Sequence, residues 1–216
     1  NASGYDDAYG KISFSNTSYK NENDTYYFDK FDVSSRFEKD LRFIEINSPD
    51  IVEGNLSGRF RFRDLKKLFE NSLGHIYTNY VPHKVQTNQS IDFNFKIYNK
   101  IIEVIYPEIA LGKNTFIRGR VESDEKKFRL TFKSPEIKLK DYFVNNNFNL
   151  SFYHTINEAN ESVVGFKKSD VTIKNNTWLI NEKSDRLNKI SFSKDLNSFK
   201  IDGFKVNHDN EEISLS

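Results

Sequence analysis

From Gly54 to Leu139 the chain alternates apolar and polar residues with period two, broken once by a helical period. Ile91, Phe93, Phe95 and Ile97 alternate with Asp92, Asn94 and Lys96. Ile117 and Val121 alternate with Arg118 and Arg120, and Phe128, Leu130 and Phe132 with Lys127, Arg129 and Lys133. Successive side chains of a strand point to opposite faces, so each run predicts a strand with one apolar and one charged face. Ile102 and Val104 read as a further short strand. Leu56, Phe60 and Phe62 share one parity and Arg59, Arg61 and Arg63 the other, which predicts a strand over 54–63 with a basic face. Leu65, Leu68, Phe69 and Leu73 instead fall at helical spacing. They predict a helix over 64–73, capped by Asp64 and stopped by Gly74. No other helix is predicted.

The flanks extend the same plan. Residues 1–10 read as a polar lead-in. Strands are predicted at 11–14, 25–33 and 41–46, with a turn at Asn21–Asp24. Residues 75–83 have no clean period and predict a loop whose aromatics pack over the helix end. Phe148, Leu150 and Phe152 restart the alternation. Val171 and Ile173, then Trp178 and Ile180, predict a hairpin turning at Asn175–Asn176. Short strands follow near 190–192, 199–201, 204–206 and 213–215. One segment echoes another: Ile44-Glu-Ile-Asn-Ser-Pro-Asp-Ile51 matches Leu130-Thr-Phe-Lys-Ser-Pro-Glu-Ile137. Proline cannot donate to a ladder, so Pro49 and Pro135 should sit at strand ends or irregularities.

The pattern therefore predicts an all-β chain whose apolar sheet face must be covered. Periodicity alone favours a closed sandwich. Composition narrows the chemistry. With no Cys there is no disulfide, thiolate nucleophile or cysteine metal site. A net charge of +1 does not suit a strongly basic nucleic-acid binder. No run approaches the roughly 20 apolar residues that span a bilayer. The lack of Met suggests a fragment of a longer protein. The four histidines, at 75, 83, 154 and 208, have no partner at metal-ligand spacing, and His154 reads as a structural strand residue. Asp124–Glu125 and Glu211–Glu212 read as solvated hairpin tips. No nucleotide-binding, hydrolase or metalloprotease motif is present, so neither an enzyme nor a cofactor is expected.

Longer strings carry a resemblance. Gly54–Phe60, Asp92–Phe95, Leu111–Gly119, Leu130–Ile137, Phe152–Glu158, Gly165–Asp170 and Asn176–Glu182 resemble the C-terminal region of the translocation and assembly module B (TamB) family, of the AsmA-like group, in its Bacteroidota form. The likeness spans about Lys11 to Ser216. The family pattern has more strands where only residues 138–149 stand here, which points to a deletion or discontinuity around 140–150 in a single β-trough segment.

The resemblance implies a curled open sheet, a trough with a hydrophobic lumen, in place of the sandwich. It implies a periplasmic location, an inner-membrane anchor outside this fragment, and an outer-membrane Omp85-type (TamA-like) partner. The implied work is binding or conducting phospholipid acyl chains for outer-membrane biogenesis. The alternative is a scaffold for translocation and assembly of outer-membrane β-barrel and autotransporter-type proteins. On this reading the lipid groove is lined by Leu56, Phe60, Phe62, Phe93, Phe95, Ile117, Val121, Phe128, Leu130, Phe132, Trp178 and Ile180.

Overall fold

The computed structural model describes residues 4–22, 24–74, 80–124, 127–140, 142–155, 161–166, 169–173, 176–180, 188–193, 198–202, 204–208 and 211–215. In chain order, a short 3-10 turn (Tyr5–Asp7) precedes β1 (Gly10–Lys20), β2 (Thr25–Glu38), β3 (Leu41–Ser48), β4 (Val52–Arg59), α1 (Phe62–Gly74) and β5 (Ser90–Ile97). Next come α2 (Asn99–Ile105), β6 (Ile109–Leu111), β7 (Thr115–Glu122), β8 (Lys127–Leu139) and β9 (Phe143–Thr155). Shorter strands complete the order: β10 (Glu161–Phe166), β11 (Ser169–Ile173), β12 (Asn176–Ile180), β13 (Asn188–Ser193), β14 (Ser198–Asp202), β15 (Phe204–His208) and β16 (Glu211–Leu215).

All 16 strands belong to one antiparallel sheet, and it does not close. Its main path runs β1-β2-β3-β4-β5-β7-β8-β9. β6 extends the line of β7 by pairing the far end of β8. The outer edge of β9 then forks. Leu150–Thr155 pair with β10, which leads to β13 and β14, and Phe143–Asn146 pair with β11, which leads to β12, β15 and β16. β8 and β9 pair along most of their length, from Phe128 with His154 to Leu139 with Phe143. The fold is thus all-β with an open sheet and two short helices.

Several elements differ from the sequence pattern. β4 ends at Arg59, so Phe60 and Phe62 do not continue the strand; Phe62 opens α1. Arg59, Arg61 and Arg63 therefore share no strand face. The helix starts earlier than predicted because its cap comes from elsewhere in the chain. The Asp6 carboxylate accepts the Phe62 backbone N–H at 2.7 Å and faces Arg63 Nε at 2.6 Å. Asp64 is buried in the first turn, where it accepts from Gln89 Nε2 at 3.0 Å. Gly74 ends the helix as predicted, and a side chain there would strike the ring of Tyr80. Tyr80 also donates to Asn71 at 2.8 Å, so the loop does fold over the helix end; 75–79 lie outside the described residues. Ile102 and Val104 lie on α2 and not on a strand. The apolar Ile-Ile-x-Val run is too short for its period to distinguish the two.

α2 shows that the sheet curls. Lys100 Nζ donates to the Tyr27 carbonyl on β2 at 2.9 Å, and the neighbouring Asn99 side chain accepts from the Leu111 N–H on β6 at 2.7 Å. A flat sheet would hold those two strand lines roughly 19 Å apart. Two adjacent residues reach that far only with the lysine chain fully extended, so the contacts fit a sheet that curls.

The Ser-Pro echo has a local explanation. The β2–β3 register places Pro49 opposite Lys30, where it has no N–H to give. Ser48 Oγ donates to the Lys30 carbonyl in its stead, at 2.7 Å. Pro135 sits inside β8, at the point where the β9 ladder skips a pair and the opposite edge passes from β7 to β6. Asn147, opposite it, is left-handed with φ 58.

The outer strand β1 is held to β2 in part by Asp32. Its carboxylate accepts from Ser13 Oγ and faces Lys30 Nζ at 2.9 Å and Lys11 Nζ at 3.5 Å. The Ser13 hydroxyl and then Lys30 hold this carboxyl down at about 2, against an ordinary 3.8. A depressed folded-state pKa gives stability that is complete above the unfolded value and is lost as pH falls through the folded one. Urea midpoints of the wild type should therefore decline from about pH 4 to about pH 2, and Asp32→Asn should flatten that decline. Equal slopes would refute this role.

Candidate functional site

Register builds the candidate site from three rows across the sheet. The first is Arg42, Gly58, Ile91, Val121 and Phe128. The second is Ile44, Leu56, Phe93, Gly119 and Leu130, and the third is Ile46, Gly54, Phe95, Ile117 and Phe132. All stand on one face because each strand alternates. Glycine faces phenylalanine twice. A Cβ on Gly119 would lie 2.5 Å from Phe93 Cζ, and one on Gly54 would lie 2.8 Å from Phe95 Cδ1. The two rings thus lie against bare backbone, which keeps the apolar face smooth.

α1 covers only one end of this face. Leu65, Leu68 and Phe69 pack on the cluster of Ile44, Ile91, Phe93, Val121 and Phe128, with the Phe69 and Phe93 rings edge to face at 5.5 Å. Beneath the helix, Ile91 is 0% and Val121 1% exposed. Two rows further on, Ile46, Phe95, Ile117 and Phe132 are only half-buried. On β1, Ile12 is 58% exposed although it continues the Ile46 row past Val33, and Phe14, opposite Phe31 one row beyond, is 51% exposed. The apolar face is therefore sealed at the α1 end and less covered along the third row and on β1.

Polar groups mark the far end. Ser48, Thr115 and Ser134 are buried there, and Thr115 Oγ1 and Ser134 Oγ are 2.7 Å apart. Beyond Ile97, a cleft of about 370 Å³ lies between the β3–β4 turn, the start of α2 and the β6–β7 turn, with Lys96, Lys100 and Lys113 on its walls. The opposite sheet face is charged. Asp92 and Arg120 pair at 3.2 Å across β5 and β7, and Asn55, Asn94 and Arg118 are exposed.

The structure brings together Leu56, Phe93, Phe95, Ile117, Val121, Phe128, Leu130 and Phe132 on one face, as the pattern predicts. Phe60 and Phe62 reach the same cluster from the β4–α1 connection, their rings edge to face at 5.8 Å. Trp178 and Ile180 do not join it. Neither is among the buried cluster or the side chains packed on it, and register leads from Trp178 through Val171 and Asn145 to Ile137, beyond the irregularity at Pro135 and Asn147. Trp178 instead stacks on His208, centroids 4.7 Å apart. His83 faces Glu70 at 3.1 Å; His75 and the His154 side chain lie outside the described residues. Asp124 accepts the Asn88 N–H, a structural role, and Glu125 is not described. Among the described residues no cluster of metal-ligating side chains occurs.

Sequence reading missed Arg42, a buried guanidinium within an apolar row, and the glycines that receive the rings. An Arg on the parity of Ile44 and Ile46 was the available signal for the first. Gly119 provides a direct check. An alanine Cβ would lie 2.4 Å from the Arg129 carbonyl oxygen as well as against Phe93. Backbone cannot yield cheaply, so Gly119→Ala should cost about 1–3 kcal/mol in urea denaturation. An unchanged midpoint would mean that Phe93 does not lie over this glycine. Compared with known protein families, characterised proteins and solved structures, the chain finds no match.

Proposed function

We propose that this chain is a segment of a periplasm-spanning bridge that holds or conducts phospholipid acyl chains in the groove. The observation that supports the reading best is the uneven cover of one continuous apolar face. It is closed by α1 at one end and only half-buried along Ile46, Phe95, Ile117 and Phe132. Each methylene taken out of water there contributes roughly 0.8 kcal/mol, so two acyl chains would stabilise the groove substantially. The charged outer face keeps such a trough in solution. In this reading the inner-membrane anchor lies outside the fragment and a TamA-like outer-membrane protein receives the far end. No helix among the described residues is long and apolar enough to cross a membrane.

One observation favours the second reading, a scaffold for outer-membrane β-proteins. β1 is an 11-residue edge strand, exposed throughout and without proline, although Lys11, Lys20 and the left-handed Asn16 guard it against a further strand. An exposed edge of this length can template an added strand.

Phe95→Asp tests the conduit. Phe95 is half-buried, so water reaches a charge placed there, and the melt should lose less than the roughly 3–5 kcal/mol of an unpaired buried charge. Ile91→Asp, under α1, should incur that full loss. Phe95→Asp should also abolish lipid crosslinking in cells, because an acyl chain would meet a hydrated carboxylate. Retained lipid crosslinking in Phe95→Asp, or a wild type that crosslinks through β1 to nascent β-barrel proteins and not to lipid, would favour the scaffold instead.

A further inference from the structure

Arg42 is the least satisfied buried group on the groove face. It is 1% exposed, and neither Nε nor Nη1 has a hydrogen-bond partner. Its guanidinium lies 4.5 Å from the Phe37 ring, 4.4 Å from Phe62 and 5.7 Å from Phe60. Burial pushes its pKa down, and the charges of Asp6 and Asp7 pull it back up. Arginine stays protonated regardless, so a cation with two unspent donors stands at the end of an apolar row. A buried charge is ordinarily paired or bound to an anion, since leaving its donors empty is costly.

What covers Arg42 is an acidic strap, residues 4–9. Nη2 donates to the Asp6 carbonyl. The strap is held by polar contacts: Asp6 with the Phe62 N–H and Arg63, and Ser35 Oγ donating to the Ala8 carbonyl at 3.1 Å. Gly4, Asp7 and Tyr9 are exposed. Single contacts of this kind each contribute little, so the strap is among the easier parts of the fold to displace. Removing the Asp6 carbonyl would free Nη2, and the Nε–Nη2 edge of a guanidinium meets a phosphate through two parallel hydrogen bonds.

We propose that Arg42 anchors the phosphate of an anionic phospholipid whose acyl chains run on to the half-buried row of Ile46 and Phe95, and that the strap occupies the headgroup position until lipid displaces it. The proposal rests on the lipid reading of the groove and adds a headgroup class and an entry point to it. The cation–π contacts with Phe37, Phe60 and Phe62 keep the guanidinium in place while its anion is absent.

The test incubates the full chain with vesicles of equimolar dioleoyl phosphatidylglycerol and dioleoyl phosphatidylcholine, and measures captured lipid by mass spectrometry. The readout is the headgroup ratio. Wild type should enrich phosphatidylglycerol by about tenfold, the worth of one good charged pair. Arg42→Gln should bring the ratio close to one, and Arg42→Lys, which keeps the charge without the planar edge, should fall between. Asp6→Asn leaves Arg42 in place while loosening the strap, and should raise phosphatidylglycerol capture. It keeps the test decisive should Arg42→Gln fail to fold. A wild type without headgroup preference, or a preference that survives Arg42→Gln, overturns the proposal but leaves the groove reading standing. Capture of neither lipid overturns both. If inorganic phosphate alone raises the melting temperature through Arg42 as far as phosphatidylglycerol vesicles do, the site takes free phosphate and the lipid anchor is refuted.

Discussion

Burial of one apolar sheet face is the constraint on which the rest of this protein depends. In a closed sandwich two such faces would cover each other. Here the sheet stays open, and cover comes from a single 13-residue helix that reaches only the row from Ile91 to Phe128 and its neighbours. The remaining row is half-buried, and α2 ties β2 to β6 beyond it. Aromatic rings laid over Gly54 and Gly119 allow that curved surface to be continuous without voids.

The polar devices all serve that arrangement. Ser48 satisfies a carbonyl that Pro49 cannot, so β3 ends without an orphaned acceptor. Asp6 supplies the cap that α1 lacks locally, from 56 residues away. The exposed pairs on the outer face, such as Arg120 with Asp92, are each worth at most about 1 kcal/mol. Their contribution is a hydrated exterior that sets the direction in which the apolar face must look. Arg42 is the exception, a charge placed within the apolar rows, and its neighbours are rings and the strap in place of solvent.

Much of the groove was legible because strands at 91–97, 117–121 and 128–133 alternate strictly, and alternation fixes which side chains share a face. The residues that misled were those where the chain changes element. Phe60 and Phe62 keep strand parity but belong to a connection and a helix, since Asp6 and not Asp64 determines where α1 begins. Ile102 and Val104 suit a strand until Asn99 and Lys100 are anchored to two different strands. Trp178 and Ile180 alternate well, yet their face depends on register carried through β11 and β9 past Asn147.

The sequence by itself determined the strands, the one amphipathic helix, the apolar and charged faces, and the lack of familiar catalytic motifs, because these follow from period and residue type between near neighbours. Only the tertiary structure decided that the sheet is open, that α1 seals one end, that Gly119 receives Phe93, and that Arg42 sits unsatisfied beneath an acidic strap. Each of those joins residues far apart in the chain through register and curvature, and local periodicity holds no record of which distant strand lies alongside.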